Sequence, residues 1–253
     1  MTVDYQNKLN KMFGYPPVEG QLFVPHSPLL NIYQYPAELD YDDVIRIPPN
    51  FLRVDAFCRE EPSGTSYKLP LDFKKRMKPG DKLIYLSMGS MGSCNVTLMR
   101  RLVTILSATP YFYVVAKGLL AEEYQLGENM TGDSVLPQTQ VLPLVDLVIT
   151  HGGNNTLTEA ISFGKPLIVL PIFYDQPTNA ARVEDKGFGI RLETYSFNDQ
   201  ELVTAIDRIF GDTEMRARVE AAGKRIQATK GGKERAAEVI EQLVKKEKSK
   251  KVE

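Results

Sequence analysis

The chain has no tryptophan, and only two cysteines and two histidines among its 253 residues. Cys58 and Cys94 stand alone, so no disulfide framework is written into the sequence, and so few cysteines suit a reducing compartment. Two histidines and two scattered cysteines leave no zinc-ligand spacing. Long apolar runs are missing as well. A membrane-crossing helix needs about 18 or more consecutive apolar residues. The longest stretches here, Leu142–Ile149 and Leu167–Phe173, are broken by Pro143 and Asp146 and by Pro171. Residues 1–25 lack the apolar centre of a signal peptide. A net charge of −1 gives no electrostatic footprint for nucleic acid. Together these absences predict a cytoplasmic protein or a fragment, with no membrane span and no nucleic-acid partner.

What is present is ordinary globular composition, 43% hydrophobic and 25% charged, in a length that allows one large domain or one and a half. Ten of the sixteen prolines fall within residues 1–80, where periodicity is poor. Tyr33-Gln-Tyr-Pro36 and Pro48-Pro49 predict extended or turn backbone. Ser63–Leu69, beside Pro62, is the expected flexible piece.

From Lys82 the pattern alternates. Strands are expected near Leu83–Ser87, Tyr111–Ala116, Val145–Ile149, Leu167–Leu170 and Gly189–Leu192. Helices are expected near Asn95–Ser107, Asn155–Phe163, Pro177–Lys186, Asp199–Phe210, Glu214–Ala228 and Glu234–Val244. Such alternation predicts an α/β fold, a Rossmann-like parallel sheet with helices on both faces. The ending from Lys245 to Glu253 is lysine-rich and expected to be a solvated, frayed tail.

The most informative run is Ile149-Thr-His-Gly-Gly-Asn-Asn-Thr-Leu-Thr-Glu159. An apolar strand enters His151, Gly152 and Gly153, and the pattern then turns helical. Glycines at such a junction let the backbone approach a ligand. The first free amides of the helix favour negative charge. Asn155 and Glu159, four apart, share one helix face. In open α/β sheets ligands sit at the carboxyl ends of strands, and Ser90, His151 and Asp175 all follow expected strand ends. The pattern suits a phosphorylated, hydroxyl-rich ligand. The competing structural reading of each residue stays open: a turn histidine, a solvated helix glutamate, loop serines at 90 and 93, a helix start at Asp175-Gln176-Pro177.

Residues 135–182 resemble the donor-sugar signature of the UDP-glycosyltransferases, glycosyltransferase family 1, which have the two-domain GT-B fold. The matching positions are Val135-Leu-Pro-Gln138, Val141 to Glu159, Gly164-Lys-Pro166, Pro171, Asp175-Gln176 and Asn179. Tyr85-Leu-Ser-Met-Gly-Ser-Met-Gly-Ser93 is similar to the first loop of the family's donor domain. The resemblance implies that His151 contacts a donor phosphate, at the glycine junction of Gly153, and that Asn155 and Thr156 do the same. It implies that Glu159 holds the ribose hydroxyls with Gln138 near them, that the Leu136 backbone meets the uracil edge, and that Asp175 and Gln176 read the transferred sugar. Ser90 lies in the loop that closes over phosphates or sugar. The family generally works without a metal, so no cofactor or metal is expected beyond the UDP-sugar donor. One position departs from the family: where uracil usually stacks on a Trp, this chain has Val135.

By the same resemblance, residues 1–80 are a remnant of the N-terminal acceptor domain plus linker. Residues 81–245 are the nucleotide-sugar domain, and 246–253 a basic tail. Family members transfer the sugar with inversion, using a general-base histidine near the start of the N-terminal domain. No residue of this chain is expected to fill that role, since His26 sits too near the linker. The expected function is therefore transfer of a hexosyl group from a UDP-sugar to a hydroxyl of a small, lipophilic acceptor, with the base supplied by an N-terminal half or an acceptor-domain partner protein. The alternatives are a non-catalytic nucleotide-sugar binding module and, with a poorer match, a nucleotide-sugar epimerase. The stripe Ala236, Val239, Ile240, Leu243 and Val244 is expected to be exposed without such a partner, and to promote association.

Overall fold

The computed structural model describes residues 2–17, 26–59, 66–229 and 232–250. Helix α1 (Thr2–Met12) comes first. Strands β1 (Asn31–Gln34) and β2 (Phe51–Val54) then form a parallel pair. A short α2 (Leu71–Arg76) leads into the larger part of the chain.

That part follows the expected alternation. In order come β3 (Leu83–Ser87), α3 (Gly89–Gly92), α4 (Val96–Ser107), β4 (Phe112–Ala116), β5 (Met130–Asp133), α5 (Gln138–Val141) and β6 (Leu147–Thr150). They are followed by α6 (Asn154–Ser162), β7 (Leu167–Val169), α7 (Gln176–Asp185), β8 (Gly189–Arg191), α8 (Asp199–Gly211), α9 (Thr213–Ala228) and α10 (Gly232–Lys250). The six strands β5-β4-β3-β6-β7-β8 make one sheet, parallel throughout. Order reverses between β3 and β6, and a doubly wound sheet binds its ligands in the crevice at such a reversal.

The central strands are buried on both faces, which explains their continuous apolar runs. Ile84, Leu86, Val114, Val148, Ile149 and Ile168 are fully enclosed. Helix α4 turns Leu98, Leu102, Ile105 and Leu106 inward, and its first turn is fixed by Asn95, whose side chain accepts from the Leu98 amide at 3.1 Å. Helix α8 begins with a capping box, Asn198 and Glu201 each accepting the other's amide at 3.0 Å. Helix α6 packs on α9, and α4 on α8.

Three expectations shift. β6 begins at Leu147 rather than Val145. The Asp146 carboxylate turns aside to accept from the Leu83 amide at 2.9 Å, at the entrance of β3. α10 continues to Lys250 instead of stopping at Val244, so the lysine-rich stretch is helical that far. Residues 251–253 lie outside the described residues, as does the 62–65 part of the expected flexible piece. The α10 stripe is only partly open: Ala236 is buried, whereas Ile240 and Val244 are 45% and 48% exposed. Ile240, Leu243 and Val244 border an apolar groove of about 450 Å³ shared with Leu29, Leu30 and Ile32. Among the described residues no helix is long and apolar enough to cross a membrane.

Segment 31–59 lies across the sheet's helices and is clamped by two arginines. Arg182 of α7 donates to the Leu39 carbonyl at 2.7 Å, to the Asp40 carbonyl and to Asp43 at 2.5 Å, with its guanidinium 4.6 Å from the centre of the Tyr41 ring. Arg225 of α9 pairs with Glu38 at 2.5 Å and with Asp55 at 2.9 Å. Burial pushes the Glu38 and Asp55 carboxyls up, but the hydrogen bonds and charge of Arg225, together with backbone hydrogen bonds, outweigh it and both end below the usual carboxylate range.

Candidate functional site

The sheet reversal places two loops side by side. The loop after β3 carries Gly89 and Ser90, and the loop after β6 carries His151, Gly152 and Gly153. The His151 ring fills the space between them. A Cβ on Gly89 would lie 2.5 Å from His151 Cε1, and a Cβ on Gly153 would collide with His151 Nε2. Only glycine lets both backbones approach the imidazole this closely. Burial holds the His151 pKa below its ordinary value, opposed by a hydrogen bond to the Ser87 backbone and by the charge of Asp175. The ring is thus biased toward neutrality, with its single N–H turned to the Ser87 carbonyl and Nδ1 3.2 Å from the Thr150 hydroxyl.

Gly153 is the N-cap of α6 and provides no side-chain acceptor. The first amides of α6 are therefore left for a ligand, and they carry the positive end of the helix dipole. Beside them opens a cavity of about 310 Å³, lined by Ser90, Leu136, Gln138, Asn155, Thr156 and Glu159 among others. Six expected site residues thus meet in one place, from α3, α5, α6 and the loop before α5.

The carboxylate of this cavity is held from two sides. Gln138 Nε2 donates to Glu159 Oε2 at 2.6 Å, and the Arg59 amide approaches Glu159 Oε1 at 3.5 Å. Gln138 Nε2 also lies 3.5 Å from Thr156 Oγ1. Asn155 is engaged as well: the Gln34 side-chain amide donates to Asn155 Oδ1, while Asn154 donates to the Gln34 carbonyl at 3.0 Å. The end of β1 therefore sits against the start of α6.

The other four expected residues stand beside the cavity. His151 and Gly153 are not in its wall, but the His151 ring packs against Gly89, which is. Asp175 is the N-cap of α7, with Pro177 in the first turn as expected, and its Oδ2 accepts from Asn179 Nδ2 at 2.9 Å. Gln176 is buried, and its Oε1 accepts the Ile172 and Phe173 amides at 2.9 and 3.0 Å. That loop is tight, and Tyr174 adopts φ 62°, a left-handed conformation uncommon for a tyrosine.

Residues without an assigned role in the sequence also shape the site. Asn179 donates to the Gly152 carbonyl at 2.9 Å and accepts from the Tyr35 hydroxyl at 3.1 Å, so it ties the glycine turn to segment 31–59. Its place in the matched stretch was the available signal. Tyr85, at the head of the matched Tyr85–Ser93 stretch, lines the cavity, as does Arg59, which had no local signal. Tyr85 is enclosed in β3, and burial pushes its phenol up to about 12, with a hydrogen bond to the Ser87 side chain working the other way. Val135 lines the cavity with 75% of its surface exposed, so nothing covers the position where an aromatic ring was expected to be replaced. His26 packs edge-on against Phe51, with ring centres 5.0 Å apart, and is not part of the cavity wall.

Residues 62–220 match the UDP-glucoronosyl and UDP-glucosyl transferase family, well over half of the chain. The chain belongs to this family. Among curated relatives, the NDP-glycosyltransferase YjiC of Bacillus subtilis is 38% identical over 118 residues, which are 47% of this chain and 30% of the relative. The zeaxanthin glucosyltransferase of Pseudescherichia vulneris is 28% identical over 224 residues, 86% of this chain and 51% of the relative. Among solved structures, the glycotransferase of kitacinnamycin superposes with a TM-score of 0.71 at 25% identity, over 85% of this chain and 55% of that one. The chain thus spans from under a third to about half of these relatives. The UDP-glycosyltransferase resemblance and the Rossmann-like GT-B sheet are both supported by these matches.

Proposed function

We propose that this UDP-glycosyltransferase family chain binds the nucleotide-sugar donor, and that with an acceptor-binding part it transfers a hexosyl group to a hydroxyl of a small, lipophilic acceptor. One observation carries the reading: Ser90, Gln138, Asn155, Thr156 and Glu159 meet in one cavity beside the uncapped start of α6, at the sheet reversal.

The chemistry follows from charge. An acceptor oxygen attacks the anomeric carbon as the bond to the nucleoside diphosphate breaks, and negative charge grows on the leaving phosphate. The α6 amides are donors fixed before the reaction, so they stabilise that charge without reorganising. Glu159, oriented by Gln138, accepts from ribose hydroxyls. Asp175 keeps one carboxylate oxygen for a sugar hydroxyl, while Gln176 has only its side-chain N–H group left to offer, since its oxygen closes the 172–176 loop. Neither His26 nor His151 is assigned the general base: neither is in the cavity wall. That base is proposed to come from an acceptor-binding part.

The test is thermal unfolding with UDP, UDP-sugars, TDP, GDP and ADP. A ligand at 100 times its Kd stabilises by about 2.7 kcal/mol. Stabilisation by UDP that disappears in Glu159→Ala and His151→Ala supports the donor site. A folded chain indifferent to every nucleotide would overturn it. A second reading, a donor-binding module without catalysis, is favoured by the open surface at Val135 and by a cavity wall without histidine among the described residues. Mixing the chain with complementary acceptor domains separates the two: recovered transfer supports the enzyme, and binding without transfer supports the module.

A further inference from the structure

The wall of the cavity beside α6 combines polar and aliphatic groups. Asn155 and Thr156 belong to the first turn of α6, and Gly89 and Ser90 line the cavity with them. In the same wall Leu119 and Val135 are 78% and 75% exposed, with Leu136 beside Val135 in sequence. These aliphatic side chains offer a surface for a flat ring but no π face. The only aromatic side chain in the described wall, Tyr85, is buried within β3 and cannot turn outward without leaving the core.

Arg59 enters the same cavity from segment 31–59. Its amide lies 3.5 Å from Glu159 Oε1. That is one helical turn, about 6 Å, along α6 from Asn155, away from the uncapped amides. Arg59 is exposed, and its guanidinium has no hydrogen-bond or ion-pair partner among the described residues. The contrast with Arg182 and Arg225 is direct, since both of those are fully engaged with carboxylates and carbonyls. A guanidinium is planar, weakly hydrated and stacks on aromatic rings and nucleobases.

We propose that Arg59 covers the nucleobase of the donor nucleotide, with Val135 and Leu119 supplying the aliphatic contact. This rests on the donor-site reading above. The diphosphate has its own donors at the uncapped start of α6, so the unpaired guanidinium, one turn further along the helix, is left for the base.

The experiment compares uridine, UDP and inorganic pyrophosphate on the wild-type chain, Arg59→Ala, Arg59→Lys and the double variant Arg59→Ala/Val135→Trp. Ligand-observed NMR reads uridine, and calorimetry reads the other two. Stacking on one base predicts that Arg59→Ala weakens uridine and UDP by roughly tenfold each and leaves pyrophosphate unchanged. Arg59→Lys is expected to lose as much, because an ammonium has no plane. Adding Val135→Trp to Arg59→Ala is expected to restore UDP binding. Wild-type UDP affinity in Arg59→Ala overturns the proposal. So does retained affinity in Arg59→Lys alongside a pyrophosphate loss in Arg59→Ala, which would assign Arg59 to the phosphates. If the wild-type chain binds neither UDP nor uridine, the donor-site reading itself fails, an outcome distinct from a wild-type site that ignores Arg59.

Discussion

The six-stranded sheet and segment 31–59 touch along one side of the molecule, yet different forces hold them. The sheet is held by enclosure: Ile84, Leu86, Val148 and Ile149 touch no solvent. The segment has a two-stranded ladder, and it is fastened to α7 and α9 by Arg182 and Arg225. Apolar burial is non-directional and tolerates small shifts. Guanidinium–carboxylate pairing is directional and fixes one register. The sheet thus supplies stability, while the arginines determine where Gln34, Tyr35 and Arg59 sit relative to the start of α6.

The comparison breaks most visibly in the sheet. Ile149→Ala leaves a cavity at the centre of β6 and is expected to cost about 2–5 kcal/mol in denaturant unfolding, with one cooperative transition. Arg182→Ala is expected to cost about 2–3 kcal/mol, below the range for a fully buried pair because Asp43 is partly exposed. Its signature is different: the 31–59 amides should gain hydrogen exchange while β3 and β6 stay protected. Equal exchange gain in the sheet would show that the two regions are not separable. The Asp43 carboxyl, held down to about 2 by its hydrogen bonds to Arg182 and Lys186, is expected to return toward the ordinary range in this variant.

The smallest effect is a pH dependence. The folded-state pKa of His151 lies below its ordinary value of 6.5. Between the two values the unfolded chain therefore holds more protons than the folded one. Stability attributable to His151 is complete above the ordinary value and falls as pH drops through that window. Unfolding midpoints of the wild type and His151→Asn, compared across it, should diverge, with the shallower slope in the variant. Parallel slopes would mean that the imidazole titrates as it does in the unfolded chain.

Much of the sheet was legible because its signals are local. β3, β4, β6, β7 and the helices after them announce themselves through apolar runs and helical periodicity within a single window. β5 was missed because Thr131, Gly132 and Asp133 make a poor strand, tolerated at an edge. β1 and β2 were obscured by the surrounding prolines. For the candidate site, Asn155, Thr156 and Glu159 could be placed together because one helix carries all three. Gln34 over Asn155 and Arg59 beside Glu159 could not be, because those contacts span 121 and 100 residues of sequence. The arginine clamps are hidden for the same reason.

The imidazole between Gly89 and Gly153 works as a shim of fixed thickness. It sets the gap between Gly89 and Gly153 just beyond the paired ends of β3 and β6, and its flat ring cannot be compressed. Any movement of the loop after β3, such as one that follows a ligand settling against Ser90, must slide or tilt that ring and so be transmitted to the first turn of α6.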